Sequence, residues 1–360
     1  MKVNIARYYK RERIQLDCEI ITPMFLGNAN QEAELRAAPF KGLLRYWWRV
    51  ANGLRHETAS ALLREENRIF GSADANSGGK SQVTVEVKGH PLHFAQETFP
   101  AGQKIQHPEV RNKFGNVVSI DRFLYLGYGP IIKSGQLKKE GEGAFQPGQC
   151  FTVIISGREQ ILEQMKHPIH CFQQFGAIGS RSRNGWGSFF LESDNLQPVS
   201  DAMLFKNIGS DWLTCFSKDY PHCLGTDNGK TLLWRSKQVH SNWEEVMNEL
   251  AGIYLMTRLE QKFQEGGPHL KPQNRHILGY PAGRKHSVKN WGHAGRHGSA
   301  LRLLVRKEAD GYRGYFLHLP HLFSKEMWPG DKERQINIWK QVHAKLDQLC
   351  QRVAYQEAGE

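Results

Sequence analysis

The chain lacks any apolar run near the roughly 20 residues that a membrane-spanning helix needs. Residues 2–19 carry too many charges for a secretory signal peptide. The six cysteines form no C-x-x-C pair and no disulfide-framework spacing, so we expect reduced, mostly buried thiols. Together these absences predict a soluble, cytoplasmic protein with no membrane partner.

Recognised catalytic and metal-binding motifs are also lacking. The sequence contains neither G-x-x-x-x-G-K-[ST] nor H-E-x-x-H. His286, His293 and His297 suggest a metal site, but the glycines between them disfavour the shared helical face that such ligands need. Cys215 and Cys223 have no recognised ligand spacing. We therefore predict no metal, no cofactor and no catalytic residue.

Acidic residues are scarce in two long stretches. The chain has 48 Lys and Arg against 36 Asp and Glu, a net charge of +12 over 360 residues. No Asp or Glu occurs between Glu163 and Glu192, or between Glu265 and Glu308. This clustering predicts a basic surface for a polyanion such as RNA, with a merely basic soluble protein as the alternative.

The most informative segment is a loop over residues 175–188, here named the glycine loop. Four glycines permit tight turns and close approach of the main chain to a ligand. Arginine provides forked donors for phosphate, hydroxyls add donors, and tryptophan offers a stacking surface. We predict RNA contacts by Gly179, Ser180, Arg181, Ser182, Arg183 and Trp186. The alternatives are that the arginines pair with acidic residues of a neighbouring subunit and that Trp186 packs under the loop.

Hydrophobic periodicity predicts the element order of the first half. Alternation indicates strands over 13–21 and 81–87, and a more buried strand over 150–155 and a short one over 188–191 are also predicted. Helices are predicted over 40–55 and 159–172. This order is that of an α+β, ferredoxin-like domain, also the frame of RNA-recognition modules. The predicted domain covers residues 1–200, with an insertion at about 89–149 that includes a hairpin around 119–125 and a mobile tip near 134–146.

The second half, residues 201–360, predicts a degenerate copy of the same domain. Its elements are a strand over 232–237, a helix over 242–263 capped by Ser241, a hairpin of 301–306 with 312–317, and a closing helix over 333–354. The fold prediction is therefore α+β, with two tandem ferredoxin-like (RRM-like) domains.

The first predicted helix has two contrasting faces. Leu43, Trp47, Val50 and Leu54 share the face expected in the core. The opposite face carries Lys41, Arg45, Trp48 and Arg49, and no glutamate occurs between Glu34 and Glu57. We predict RNA or partner contact there, with an ordinary solvated face as the alternative. Trp48 is open between a stacking platform and a filler of the domain interface.

Four segments, residues 20–27, 40–49, 70–72 and 176–188, carry a family resemblance. With the Lys-Gly-x-x-Arg-x-Trp-Trp-Arg helix, they resemble the RAMP superfamily, and within it the first subunit of the Cmr effector complex of type III-B CRISPR systems. Beyond residue 200 the resemblance rests on the layout and on residues 296–305, which adds Arg296 to the predicted RNA contacts.

The resemblance implies tandem ferredoxin-like domains and no catalytic role. It implies a place near the 3′ end of the guide RNA, contacting guide and target RNA beside other RAMP subunits in antiviral defence. A metal-independent guide-RNA-processing endoribonuclease is the alternative, for which His297 near Arg296 would be the least unfavourable catalytic group. A purely structural subunit is a third reading, which the salt dependence of RNA binding distinguishes.

Overall fold

The computed structural model describes residues 11–30, 32–74, 79–89, 94–95, 99–137, 143–264, 266–280, 286–291 and 295–354. His293 and residues 138–142 of the predicted tip at 134–146 lie outside these residues. The elements confirm a mixed α+β fold, and every pair in the two main sheets is antiparallel except one short parallel pair.

The first half is built from ten strands and five helices among the described residues. The strands are β1 (Arg11–Ile20), β2 (Thr84–Gly89), β3 (Phe94–Ala95), β4 (Lys104–Arg111), β5 (Val117–Asp121), β6 (Ile131–Lys133), β7 (Gln136–Leu137), β8 (Ala144–Phe145), β9 (Cys150–Arg158) and β10 (Phe189–Glu192). The helices are α1 (Ala37–Asn52), α2 (Ala59–Phe70), α3 (Arg122–Gly127), α4 (Glu159–Glu163) and α5 (Lys166–Phe175).

The main sheet of the first half has the strand order β10-β1-β9-β2. Helices α1 and α5 pack against each other, and their apolar sides join the sheet in one core. In order of appearance the sheet strands are therefore arranged fourth, first, third, second. The remaining short strands form three separate two-stranded pairs within the insertion that was predicted at about 89–149.

The second half contributes strands β11 (Gly209–Asp211), β12 (Leu224–Asp227), β13 (Lys230–Arg235), β14 (Leu301–Glu308), β15 (Gly311–His318) and β16 (Gln351–Ala354), with helices α6 (Asp201–Ile208), α7 (Trp243–Glu260) and α8 (Lys332–Leu349). Its sheet runs β11-β12-β13-β15-β14, and β16 also pairs with β13. The succession β13-α7-β14-β15-α8-β16 repeats that of the first half. The arrangement fourth, first, third, second recurs among its strands.

Helix α1 differs from its predicted phase near its end. Trp47 and Val50 are buried as expected, but Leu44 rather than Leu43 completes the core side. The α-helix ends at Asn52 and a short 3-10 turn follows. Because a 3-10 turn advances the chain by a larger angle per residue, Leu54 is carried out of the core and is 48% exposed.

Several boundaries correct the sequence-based predictions. The closing helix stops at Leu349 because Cys350 is extended, and the strand β16 replaces its last predicted turn. Asn242, not Ser241, caps α7 by accepting a hydrogen bond from the amide of Glu245. The hairpin predicted around 119–125 is formed by β4 and β5, and α3 follows it. Helices α2 and α6 were not predicted.

Candidate nucleic-acid interface

The glycine loop joins α5 to β10, and its two ends are held together. The amide of Ile178 donates to the carbonyl oxygen of Gly187 at 3.0 Å. Gly187 has φ +66°, and a Cβ there would lie 1.9 Å from the oxygen of Ile178. Only glycine fits such a close, left-handed crossing of the chain.

Gly179 has a similar internal role. Its φ is +95°, and a Cβ at this position would lie 2.5 Å from the carbonyl oxygen of Phe25. The next amide, that of Ser180, donates to the same oxygen at 2.8 Å. The Ser180 amide is therefore satisfied by the protein's own backbone, while RNA contact by Gly179 and Ser180 stays a prediction.

The glycine loop also connects the two halves of the molecule. A Cβ at Gly185 would lie 2.7 Å from the sulfur of Met247 on α7. The amide of Leu303 donates to the carbonyl oxygen of Arg183 at 2.9 Å, and the amide of Val305 donates to the Ser188 hydroxyl at 3.2 Å. These contacts fix the loop on strand β14 and helix α7, so its side chains are held in defined positions.

Trp186 lies beneath the loop. Its side chain is 0% exposed, and aromatic rings of both halves surround it, with centroids 5.3–6.0 Å away: Phe25, Phe99, Phe123 and Trp243. The prediction of a base-stacking surface at Trp186 is wrong, since no face of the indole is accessible. The alternative of packing under the loop is the observed one.

The basic face of α1 is covered by α2 and the chain that follows it. Glu66, 1% exposed, accepts hydrogen bonds from Arg45 at 2.6 Å and from Arg49 at 2.8 Å through one carboxylate oxygen. Lys41 donates to the Ser81 hydroxyl at 2.9 Å. The predicted RNA or partner contact on this face stays a prediction, but a carboxylate distant in sequence neutralises the two arginines.

Trp48 belongs to the core of the first half. It is 1% exposed, and its ring lies 6.3 Å from those of Phe70 and His56. A stacking platform for RNA at this position is excluded by that burial. The alternative of a filler at the domain interface does not describe Trp48 either, because these neighbours belong to the first half.

The acid-free basic stretch before Glu308 is partly neutralised by acids from elsewhere. Arg275 forms an ion pair with Glu109, with a contact of 2.6 Å. Arg306 pairs with Asp201 at 2.8 Å, and Lys307 pairs with a glutamate of β1 at 2.7 Å. An estimate of free positive charge from the acid-free stretch of sequence is therefore too high.

Two adjoining cavities meet at Arg181 of the glycine loop, and together they are named the basic groove. The first has a volume of about 660 Å³ and the second about 640 Å³. Neither is lined by an Asp or Glu among the described residues. The arginines that line the groove are Arg36, Arg181, Arg183, Arg258 and Arg296.

Arg181 lines both cavities. Its backbone has φ +60°, and its guanidinium lies so near Gly129 that a Cβ there would be 3.4 Å from Nη2. Partial desolvation by these neighbours lowers the pKa of Arg181, which remains a cation because arginine starts from a very high value. Within the described part of the chain it has no ion-pair partner, so a bound anion would satisfy it.

Five other predicted residues line the same groove. Gly179 and Ser180 line the first cavity. Ser182 and Arg183 line the second, and Arg183 also donates to the carbonyl oxygen of Ser299 at 3.2 Å. Arg296 is exposed and also lines the second cavity. The fold thus brings together the two acid-free stretches of sequence at this point.

Sequence reasoning missed the remaining members of the groove. Tyr128, 67% exposed, is an accessible aromatic ring in the second cavity, and Arg258 lies between Tyr125 and Tyr254. The Gly-Tyr-Gly-Pro sequence at 127–130 was a usable signal for an exposed ring on a turn. No sequence signal pointed to Arg36 or Arg258, which lie on elements with other roles.

His297 borders the groove but is poorly suited to proton transfer. Its ring stacks on Phe323 with centroids 3.6 Å apart. Burial, together with His321 and Arg183, lowers its pKa to about 3. A neutral imidazole with so low a pKa is a weak base and cannot hold the proton that a leaving oxygen needs near neutral pH.

Comparison with known proteins gives a family match for the first half of the chain. Residues 17–189 match the model described as "RAMP superfamily". This segment is similar to that superfamily. No curated protein matches. In the part of the chain that the structure describes, no helix has the length and apolar character to cross a membrane.

Two solved structures are similar to this chain. Cmr1 from Pyrococcus furiosus, in its apo form, is 16% identical, with a TM-score of 0.47 over 93% of this chain and 97% of that one. A chain of a type III-B Cmr-beta complex bound to cognate target RNA and AMPPnP, in the presence of ssDNA, is 13% identical, with a TM-score of 0.49 over 92% and 99%.

Proposed function

We propose that this protein is a non-catalytic, RNA-binding subunit of a type III CRISPR effector complex of the Cmr kind. In this role it lies near the 3′ end of the guide RNA, contacts guide or target RNA, and assembles with other RAMP subunits. The observation that carries the proposal is the basic groove, in which five arginines and an exposed tyrosine converge without a lining carboxylate.

We also infer that the protein consists of two tandem ferredoxin-like domains, over residues 1–200 and 201–360. The same strand arrangement and helix order in both halves support this inference. A helix from the second segment, α6, buries Leu204 and Phe205 in the core of the first. The two domains therefore share a continuous apolar boundary, and the second cavity of the basic groove is lined by residues of both.

The groove has the chemistry of a backbone-binding site. Guanidinium groups bind phosphate oxygens through paired charge-assisted hydrogen bonds. An exposed aromatic ring such as that of Tyr128 stacks on bases of any identity. Cations focused in a concave surface attract a polyanion more strongly than scattered ones. Recognition is therefore expected to be tolerant of RNA sequence and sensitive to salt.

The test replaces Arg181 and Arg296 together by Ala and measures single-stranded RNA affinity across a salt series. Removing two phosphate contacts should flatten the slope of log K against log salt by about 1.4, since each contact contributes about 0.7 for single strands. The matched control replaces Lys230 and Lys340, which are exposed and line neither cavity, and keeps the same net charge change.

Three outcomes separate the alternatives. Equal loss in the test and control variants would mean nonspecific charge attraction and would overturn the groove. Unchanged affinity in a folded test variant would favour a structural subunit whose arginines face a protein. Metal-free cleavage of repeat RNA, abolished by His297→Ala, would establish the processing endoribonuclease instead.

A further inference from the structure

A cluster of three potential metal ligands lies in the second half, outside the basic groove. Cys215 is in a short 3-10 helix over Thr214–Ser217, and His222 and Cys223 directly precede β12. Their ligand atoms all lie within 4.8 Å of one another. The three side chains are 0–2% exposed. The sequence-based prediction of no metal site did not anticipate this group, because its spacing matches no recognised motif.

We propose that Cys215, His222 and Cys223 form a structural zinc site. Two thiolates and one imidazole are the donors that zinc prefers, and they are softer than the oxygen ligands that magnesium or calcium select. Three protein ligands leave one position of a tetrahedral shell for a solvent molecule or a main-chain oxygen. This inference is independent of RNA binding.

The distance between the two sulfur atoms is compatible with either a disulfide or a zinc site. The two Sγ atoms are 3.1 Å apart. A disulfide would need them at about 2.05 Å, whereas zinc bonds of about 2.3 Å at tetrahedral angles place them about 3.8 Å apart. A disulfide and a zinc site would each change the sulfur–sulfur distance by about 1 Å or less, so His222 decides between them.

His222 favours the metal. Its Nδ1 lies 2.9 Å from the carbonyl oxygen of Tyr220, which fixes Nδ1 as the proton donor and leaves the lone pair on Nε2. Zinc-binding histidines are oriented by this kind of hydrogen bond from the other ring nitrogen. A disulfide would make no use of a buried, oriented imidazole.

The proposed site is balanced in protons and charge. Zinc binding would displace the two thiol protons to solvent and convert both sulfurs to thiolates. The ammonium group of Lys218 interacts electrostatically with Cys223 and would stabilise the resulting negative charge.

The proposed site would fasten the two domains to each other. Lys218 donates to the carbonyl oxygens of Gly53 and His56, at 2.9 and 2.6 Å, just beyond the end of α1. A Cβ at Gly53 would lie 2.4 Å from the Cβ of His222. A zinc ion bound by Cys215, His222 and Cys223 would therefore rigidify the loop that contacts the first domain.

The experiment measures metal content in the full chain purified without a metal-affinity tag, under reducing conditions. We expect about one zinc per chain, and its loss in Cys215→Ser and Cys223→Ser. Cys171→Ser, another buried cysteine remote from the cluster, is the control and should retain the metal. Removing zinc with a chelator should lower the melting temperature, and adding zinc, but not magnesium, should restore it.

A second measurement covers variants that fail to fold. Apo wild-type protein titrated with Co²⁺ should develop thiolate-to-cobalt absorption and release protons. A protein that takes up neither zinc nor cobalt under reducing conditions would overturn the proposal. A Cys215–Cys223 disulfide found by mass spectrometry in protein purified from reducing cells would do the same, and so would zinc retained by the double serine variant.

Discussion

Replacing Arg45 and Arg49 together by Ala should destabilise the protein without a selective effect on RNA binding. Both arginines bond to Glu66, whose side chain is 1% exposed. Their removal leaves a buried carboxylate without its cations, which costs about 3–5 kcal/mol of unfolding free energy in comparable buried pairs. At about 2–4 °C per kcal/mol for a domain of 150–250 residues, the melting temperature should fall by roughly 10 °C.

Removing Glu66 instead of the two arginines is expected to cost less stability. Arg45 and Arg49 are 31% and 38% exposed, so in Glu66→Ala they can turn to water, and the loss should be about 1–3 kcal/mol. Replacing all three together by Leu and Met should recover much of the stability, because apolar residues of similar volume substitute well for a buried ion network.

Urea unfolding, followed by tryptophan fluorescence, ranks these variants by their free energy of unfolding. RNA affinity is measured on the folded proteins. Lys41→Ala is the control, since its one hydrogen bond to Ser81 is partly exposed. A double arginine variant as stable as the wild type but impaired in RNA binding would refute the reasoning and would restore the helix face as an RNA contact.

Three further predictions concern other parts of the molecule. Trp186→Ala should cost about 3–5 kcal/mol of unfolding free energy, measured in urea, because it empties the aromatic cluster under the glycine loop, and a loss below 1 kcal/mol would contradict its place there. Tyr128→Ala should weaken RNA binding by about 1–3 kcal/mol if a base stacks on it, with Tyr128→Phe as the neutral control, and equal affinity of both variants would exclude stacking. Stability should decline as pH falls below about 6.5, the unfolded pKa of histidine, because burial lowers the pKa of His343 to about 3 and that of His318 well below its usual value, so the unfolded chain binds more protons. Each buried histidine adds up to about 1.4 kcal/mol per pH unit, and His343→Gln should show a shallower dependence than wild type in urea unfolding at several pH values.

The order of secondary-structure elements was predictable because periodicity is a local property of the chain. Alternation over β1, the apolar run of β9 and helical spacing over α1 and α7 follow from neighbouring residues alone. The resemblance in the first half pointed to the RAMP superfamily, and the family match over residues 17–189 confirms it. Boundaries that depend on contacts elsewhere, such as the strand β16 after α8, were not predictable in this way.

Which charges are free could be decided only by the tertiary structure. Arg45 meets a carboxylate 21 residues away and Arg275 one that is 166 residues away, so sequence proximity gave no warning of either pair. Coulomb attraction depends on distance in space, and the chain path sets that distance. The same folding gathers Arg181 and Arg296 into one groove without a lining carboxylate.

Burial of the tryptophans was likewise a tertiary outcome. Trp48 and Trp186 stand beside basic residues in the sequence, as stacking residues do, yet both are enclosed by aromatic side chains that come from other elements. The cluster of Cys215, His222 and Cys223 arises because a 3-10 helix folds back on the start of a strand. The sequence by itself determined the family resemblance and the local elements, whereas side-chain environment was decided by the packing of segments that are far apart in the chain.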